Sequence, residues 1–311
     1  MHVPVLAGPA IEWLRIREDG VYVDCTAGAG GHAELIVRRL TKGKLIALDR
    51  DIEAVGLTRE RLAGYAQAVV IHANYSRLAS VVEELGIAHV DGVLIDAGLS
   101  SAQLDDASRG FSFQLEGPLD MRMDTSQGLT AAEYLGSVSE DELARALKVY
   151  GDVRPARRIA RSIVGRRRSR PIRTTTDLRE AVKEALPFVG REPEEIRTVF
   201  QSIRIVVNDE CRALERGLRQ AVDLLAPGGR LVAIAFHSGE DRIVKNVIRE
   251  ESRPHRELTP DGRVRSQRPA RLKVLTPKPI SPDHDETAAN PRSHSARLRA
   301  AERIREREGA G

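Results

Sequence analysis

The sequence predicts an α/β protein, a doubly wound and largely parallel sheet interrupted by an inserted all-helical domain. Three observations carry that expectation. Short β-branched apolar runs alternate with helix-period segments over residues 1–103; residues 104–200 carry helix-period sequence without strand runs; a Pro227-Gly228-Gly229 turn then restarts the alternation. Buried strands separated by helices of about ten residues mean βαβ units with right-handed crossovers.

The elements follow in order. Val21-Tyr22-Val23-Asp24-Cys25-Thr26 reads as the first strand and ends in the loop Ala27-Gly28-Ala29-Gly30-Gly31. Apolar periodicity from His32 to Leu40 predicts a helix, and Lys44–Asp49 a second strand. A helix over about 53–63, a strand Ala68–His72, a helix over about 76–85 and a strand Gly92–Asp96 complete the series. The middle segment predicts helices over about 130–136, 139–149, 155–168, 177–186 and 192–198, with Thr174-x-x-Asp177 as a capping signature and Pro187 as a stop. A helix over 208–225 leads through the Pro-Gly-Gly turn to a strand Arg230–Phe236. The Arg/Ala-rich tail over 295–307 reads as helical. The simplest organisation is a discontinuous domain, 1–103 plus 201–311, with 104–200 inserted after its fourth strand.

Length and composition narrow the function classes. A chain of 311 residues holds two domains, or one with a large insertion, at roughly 150 residues per domain. With 41% apolar and 30% charged residues it is an ordinary globular chain. No apolar run approaches the roughly 20 residues needed to span a bilayer, and no secretory signal is visible. Cys25 and Cys211, far apart, match neither a disulfide framework nor metal-ligand spacing. The chain reads as cytoplasmic, without membrane or metal. Only 7 of the 49 basic residues are lysine, a bias that base composition of the genome can produce, so distribution matters more than total. Residues 154–173 hold nine arginines and no acid, and 263–278 hold six basic residues and no acid. Two concentrated basic segments in a chain of net charge +4 point to a polyanionic partner; solvated helix and loop faces are the bland reading.

In an open parallel sheet, ligands bind beyond the carboxyl ends of the strands. Gly28, Gly30 and Gly31 follow strand one, where glycine permits close backbone approach. Asp49 ends strand two, where a carboxylate can accept both hydroxyls of an adenosine ribose. Asn74-Tyr75 follows strand three and offers an amide and a ring to a base. Asp96 ends strand four. The set fits an adenosine-bearing cofactor. Gly-Ala-Gly-Gly-His departs from the dinucleotide spacing Gly-x-Gly-x-x-Gly, and the strand-end pattern is closer to class I S-adenosylmethionine methyltransferases. The structural alternative is that the glycines only turn the chain and the aspartates only cap helices.

Longer strings carry a specific resemblance. His2-Val3-Pro4-Val5-Leu6, Gly30-Gly31-His32, Leu48-Asp49-Arg50-Asp51, Asp96 through Asp105, Arg109-Gly110-Phe111-Ser112-Phe113 and Pro118 through Asp124 occur in order. Phe200 through Ile205, Val207-Asn208-x-Glu210, Phe236-His237-Ser238-Gly239-Glu240-Asp241-Arg242 and Asn290-Pro291-Arg292-Ser293 extend them. Together they resemble the bacterial small-subunit ribosomal RNA cytosine-N4 methyltransferase family (RsmH, formerly MraW). This chain carries Ala97, Leu99, Tyr75, Gly239 and Ser293-His294 where that family usually has other residues. The resemblance implies a class I (Rossmann-like) S-adenosylmethionine-dependent sheet with an inserted helical domain, and methyl transfer to N4 of a cytidine in the decoding region of 16S ribosomal RNA. The product would be S-adenosylhomocysteine. It implies cofactor contacts at Gly30, Gly31 and His32 for the methionine end, Asp49 for the ribose, Tyr75 beside the adenine, and Asp96 and Gln103 near the adenine and the methyl. The implied partner is 16S ribosomal RNA within the small subunit, with the enzyme a monomer or homodimer.

The exocyclic nitrogen of cytosine is a poor nucleophile because its lone pair is delocalised into the ring. A catalyst must accept its N–H and align nitrogen, methyl and sulfur, which is chiefly positioning. Asp96 is the foremost candidate acceptor, with Ser100, Asp120 and His237 behind it. His237 has a second reading as part of a helix start, since Ser238-x-x-Asp241 is a capping signature. A C5 mechanism would need a cysteine nucleophile, and neither cysteine is suitably placed. The target base must leave its stack, and 11 aromatic residues leave little for a stacking platform. Shape and phosphate contacts are therefore expected, from Arg154, Arg157, Arg158, Arg161 and Arg168 opposite a stripe of Ala156, Ile159, Ala160, Ile163 and Val164, and from Arg268, Arg271 and Lys273. Two other function classes stay open at this point: a nicotinamide oxidoreductase, separable by cofactor titration, and a non-catalytic RNA-binding protein on the same fold.

Overall fold

The computed structural model describes residues 4–186, 193–258 and 264–305. They divide into two compact units, one built from residues up to Gly98 and from Cys211 onward, the other from Leu99–Glu210. The first unit opens with α1 (Ala7–Leu14), β1 (Val21–Asp24), α2 (Gly31–Val37), β2 (Lys44–Asp49), α3 (Ile52–Leu62), β3 (Ala68–His72), α4 (Leu78–Glu84) and β4 (Val90–Asp96). The second holds α5 (Ser101–Asp105), α6 (Ala131–Ser137), α7 (Glu140–Gly151), α8 (Ala156–Ser169), α9 (Thr175–Ala185) and α10 (Glu195–Val207). The chain returns through α11 (Glu210–Leu224) to β5 (Leu225–Ala235), α12 (Ser238–Glu251), β6 (His255–Leu258), β7 (Val264–Arg268), β8 (Leu272–Val274), α13 (His284–Ala289) and β9 (Arg297–Arg303).

Seven strands form one sheet in the order β3-β2-β1-β4-β5-β9-β8, and β6 and β7 form a separate pair. Strands β1 to β5 are mutually parallel, while β9 runs antiparallel to both of its neighbours. Successive side chains on a strand point to opposite faces, and here both faces are apolar. Ile46, Leu48, Val93 and Ile95 pack with Leu78, Val82, Leu218, Val222 and Val244 on one side. Leu45, Ala47, Leu94 and Val232 pack with Ala10, Leu14, Ala33 and Ile36 on the other. The expected α/β architecture, a doubly wound and largely parallel sheet with a helical insertion after its fourth strand, is the one observed. Strand order reverses between β1 and β4, and because these strands are parallel the carboxyl ends of β1, β2 and β4 lie along one rim.

The second unit is built from capped amphipathic helices. Thr130 with Glu133, Ser139 with Glu142 and Thr174 with Asp177 form three capping boxes, opening α6, α7 and α9. Ala156, Ile159, Ala160, Ile163 and Val164 are the buried stripe of α8, and they join Leu135, Leu143, Leu147, Leu178, Val182 and Val199 in one core. Each fully buried aliphatic side chain contributes about 1.5–3 kcal/mol. α10 continues unbroken through residue 200 to Val207. The expected stop at Pro187 and the start of the helix over 192–198 lie outside the described residues.

Two expectations are corrected. Residues 297–303 form strand β9 and not a helix, because Leu298, Ala300 and Ala301 are fully buried beside β5. Tertiary pairing there outweighs the helix propensity of Ala and Arg. Residues 306 and 307 of that expected helix are outside the described residues. Pro227-Gly228-Gly229 does not precede the strand but lies within β5, where the register to β4 shifts between Val90 and Gly92. Among the described residues no helix is long and apolar enough to cross a membrane.

Candidate active site

β1, β2 and β4 bring Asp24, Asp49 and Asp96 to the same rim of the sheet. Asp49 ties the glycine loop to β2: its Oδ2 accepts the Gly28 N–H at 2.8 Å and its Oδ1 the Asp51 N–H at 2.8 Å. Gly28 and Gly30 have φ of 56° and 78°, left-handed conformations that side chains resist. Thr58 donates to the Gly28 carbonyl at 2.9 Å and Arg61 to that of Ala29 at 3.2 Å. The loop is thus held from below before any ligand arrives. A Cβ at Gly31 would lie 3.1 Å from Pro4, so the start of α2 sits close against the N-terminal segment.

Asp96 and His32 form the most perturbed pair. The Asp96 N–H donates to Thr26 Oγ1 at 2.6 Å, its Oδ2 lies 3.5 Å from His32 Nδ1, and its Oδ1 is buried with no hydrogen-bond partner. His32 Nε2 bonds the Val5 carbonyl at 3.0 Å. A carbonyl only accepts, so Nε2 carries the proton and Nδ1 the lone pair. Burial pushes His32 down to about 4, the Val5 bond opposing it, so the ring is neutral at pH 7. Burial, reinforced by the charges of Asp24 and Glu240, pushes the Asp96 carboxyl well above the usual carboxylate range. The pair is therefore a neutral imidazole beside an acid that resists ionisation, not an ion pair.

Asp24 was not among the sequence candidates. It is 0% exposed, its Oδ1 accepts the Thr26 N–H at 3.1 Å, and its Oδ2 has no partner. Burial, with the charge of Asp49 adding, pushes its carboxyl up to about 7. The signal that could have found it is positional, because Asp24 closes β1 as Asp49 and Asp96 close β2 and β4. Cys25 is fully buried and its thiol is pushed up by burial and then by Asp24, which keeps it protonated.

Other candidates in the first unit have local work. Tyr75 is 8% exposed and packs into the core, where a Cβ at Gly217 would meet its ring at 2.8 Å. Asn74 accepts the Ser76 N–H at 2.9 Å and caps a short 3-10 turn. The capping signature at α12 begins one residue earlier than expected. His237, not Ser238, is the cap: its Nδ1 accepts the Gly239 and Glu240 N–H groups at 3.1 and 3.4 Å, and Glu240 replies to the His237 N–H at 3.2 Å. A Cβ at position 239 would lie 3.0 Å from that ring, so Gly239 leaves the imidazole room to fold over the helix start. With Nδ1 accepting, Nε2 carries the proton, 3.1 Å from Glu240 Oε1.

Ser100, Gln103 and Asp120 belong to the second unit. Ser100 caps α5: its Oγ accepts the Gln103 N–H at 3.2 Å, and Gln103 Oε1 accepts the Ser100 N–H at 3.0 Å. Asp120 holds the Arg122 guanidinium through two bonds of 2.8 Å. Burial raises the Asp120 carboxyl, but Arg122 outweighs it and the group is held below its usual range. The structure thus gathers Asp24, His32, Asp49 and Asp96 in one unit and gives Ser100, Gln103 and Asp120 local bonds in the other.

The two basic segments differ. Arg154, just before α8, and Arg157, Arg158 and Arg168 on it are exposed, and among the described residues no carboxylate pairs with them; Arg161 is exposed and 3.3 Å from Glu140. By contrast Arg271 is 17% exposed and held by Glu251 at 2.7 Å and by Asp223. Arg268 also binds Glu251, at 3.0 Å, while Lys273 is exposed. Arg271 is thus already paired with two carboxylates, as the exposed arginines near α8 are not. Arg263 lies outside the described residues.

Among the described residues no group of three or more His, Cys, Asp or Glu side chains could hold a metal ion. The sequence model of the MraW methylase family matches residues 1–304. A Methylococcus capsulatus protein named ribosomal RNA small subunit methyltransferase H is 50% identical over 296 residues, covering 94% of this chain and 97% of that protein. Proteins of the same name from Nitrosospira multiformis and Carboxydothermus hydrogenoformans are 47% and 46% identical, each match covering 97% of this chain and 97% and 98% of the relative. Likeness at that level along both chains, on a sheet whose strand ends carry the expected polar residues, makes this chain a member of the MraW methylase family.

Proposed function

We propose that the chain transfers the methyl group of S-adenosylmethionine to the exocyclic N4 of a cytidine in the decoding region of 16S ribosomal RNA, releasing S-adenosylhomocysteine. One observation carries the reading: Asp96, a strand-end carboxyl with a buried oxygen that no donor of the described residues satisfies, beside a neutral histidine. The relatives, named as small-subunit ribosomal RNA methyltransferases, support the substrate class. Two orphaned buried oxygens, Asp24 Oδ2 and Asp96 Oδ1, fit a ligand that brings cationic and N–H groups.

Gly28, Gly30, Gly31 and His32 would take the methionine end of the donor, Asp49 the ribose hydroxyls, Tyr75 the adenine, and Gln103 the region near the methyl. When bound, the donor supplies a methyl group on a sulfonium, already activated toward a weak nucleophile. Ionised once a positive charge lies beside it to offset the burial that otherwise keeps it protonated, Asp96 Oδ1 accepts an N–H of the cytosine amino group and frees the nitrogen lone pair. Its raised proton affinity suits it to keep the proton that N4 sheds. His32 Nδ1 flanks Oδ2 and so leaves Oδ1 for the amine. Ser100, Asp120 and His237 rank behind Asp96 as acceptors, because each already has polar atoms engaged in a cap or with an arginine. The α8 arginines and Lys273 contact phosphates of the small subunit in the cytoplasm.

Mass spectrometry of 16S ribosomal RNA nucleosides tests this. The N4-methylated cytidine should vanish in a strain lacking the gene and return with the wild-type chain. An unaltered nucleoside profile in the deletion strain rules the function out. Asp96→Asn should lower turnover by about 10²-fold or more while donor binding persists.

A further inference from the structure

On the donor reading above, which places His32 at the methionine end, we propose that Glu286 is a positioning residue: through the Val5–Leu6 peptide it holds His32 with the proton on Nε2 and the lone pair of Nδ1 toward Asp96. A single peptide group makes the link. Its carbonyl, from Val5, accepts from His32 Nε2 at 3.0 Å, and its N–H, from Leu6, donates to Glu286 Oε1 at 2.6 Å. None of the described peptide bonds is cis. In a trans peptide the C=O and N–H point in opposite directions, so the histidine and the glutamate grip one plane from opposite edges.

That plane needs holding. Leu6 has φ 51°, a left-handed conformation that a residue with a side chain seldom adopts, and α1 starts from it. Its own carbonyl is taken by the Ala10 N–H at 2.8 Å, so α1 fixes one side of Leu6 and Glu286 the other. Glu286 is set in turn by α13, its N–H donating to Asp283 Oδ1 at 2.8 Å and its carbonyl accepting the Asn290 N–H at 2.8 Å. Asp241 and Glu251 meet arginines; Glu286, among the described residues, pairs with no arginine or lysine and accepts a backbone N–H 280 residues away. Hydrogen bonds in series strengthen one another, so a carboxylate on the Leu6 N–H makes the Val5 carbonyl a better acceptor. A better acceptor keeps the His32 proton on Nε2 and leaves Nδ1, 3.5 Å from Asp96 Oδ2, as a lone pair. Without Glu286 the peptide can turn about the Leu6 N–Cα bond and carry the Val5 carbonyl away from the ring.

Nitrogen-15 NMR of the donor-free full chain at pH 7 tests this. The wild-type chain should show His32 as one tautomer, protonated on Nε2, and a Leu6 amide protected from solvent exchange. Glu286→Ala, checked for a cooperative unfolding transition, should expose the Leu6 amide and shift the His32 signals toward a mixture of tautomers. Its affinity for S-adenosylmethionine should fall by about tenfold, the lower end of what losing a histidine's outer partner costs at metal sites. Glu286→Gln keeps an acceptor oxygen and should return the signals to their wild-type positions and the affinity to within about twofold. A wild-type His32 protonated on Nδ1 overturns the inference, even where no variant folds. Unmoved His32 signals in folded Glu286→Ala overturn it, as does a glutamine variant as impaired as the alanine one. Wild-type affinity in a Glu286→Ala chain whose His32 signals have moved overturns the positioning role while leaving the proposed function standing. No binding of S-adenosylmethionine by the wild-type chain overturns the proposed function and this inference together.

Discussion

At the rim of the sheet, Asp24 and the inner oxygen of Asp96 are buried without a cation, while Asp241 and Glu251 on α12, in the same unit, are buried against arginines. Asp241 holds Arg299 through bonds of 2.7 and 3.0 Å. Glu251 takes Arg271 at 2.7 Å, Arg268 at 3.0 Å and the edge of Arg219 at 3.9 Å. Burial pushes Glu251 up, but Arg271 and Arg268 outweigh it and hold the group below its usual range. The Asp24 and Glu251 carboxyls thus titrate in opposite directions, and their neighbours decide which. Paired carboxylates stabilise the fold. Unpaired ones destabilise it and persist where a ligand can complete them, which is why perturbed groups collect at sites.

That contrast can be broken by experiment, beginning with the largest effect. Arg299→Met strands the Asp241 charge and should cost about 3–5 kcal/mol in urea denaturation; a loss below about 1 kcal/mol would show that Asp241 never needed its arginine. Glu251→Gln should cost less, about 1–3 kcal/mol, because its arginine partners are partly exposed. The folded-state value of Glu251 is depressed, so its stabilisation is present above the usual 4.5 and lost as pH falls through the folded value. Melting temperatures from pH 7 to pH 3 should therefore fall less steeply for the variant. Asp24→Asn should behave oppositely. A folded value raised from 3.8 to about 7 means that the wild-type chain loses stability as pH climbs between them, so the variant gains on it by pH 8. A wild-type stability profile flat across that window would contradict the burial argument.

The smallest stability effect belongs to the exposed face of α8. Arg157→Ala, Arg158→Ala and Arg161→Ala should each change stability by no more than about 0.5 kcal/mol. Together they should flatten the salt dependence of RNA binding by about 0.7–0.9 for each phosphate that these side chains neutralise in the wild-type complex. Arg271→Ala should leave that slope alone and lower the unfolding midpoint. An unaltered slope in the triple variant would remove α8 from the RNA-facing surface.

Local signals account for what was legible. Strands β1 to β4 follow from β-branched runs of the right length, and the buried stripe of α8 from spacing of three and four. Thr174-x-x-Asp177 forms its capping box because both partners lie within one turn. The cap of α12 was misplaced by one residue, since histidine is a rare cap and only the folded ring shows Nδ1 reaching two backbone N–H groups. Asp24 is hidden in the sequence because the first strand reads on to Thr26, which places it inside the strand and not at its end. Its orphaned oxygen exists only once β2 and β4 flank it.

The amino-acid order alone settles what depends on neighbours along the chain: strand and helix periods, most caps, the turn at the glycine loop, and the carboxylates that close β2 and β4. Pairings distant in sequence decided the rest. Arg268 and Arg271 read like the arginines of α8 until α12 brings Glu251 to them, and the Ala/Arg tail reads as a helix until β5 offers a pairing edge. Charge pairing and strand pairing are satisfied in space and not along the chain, so only the assembled sheet says which groups are already matched and which still await a ligand.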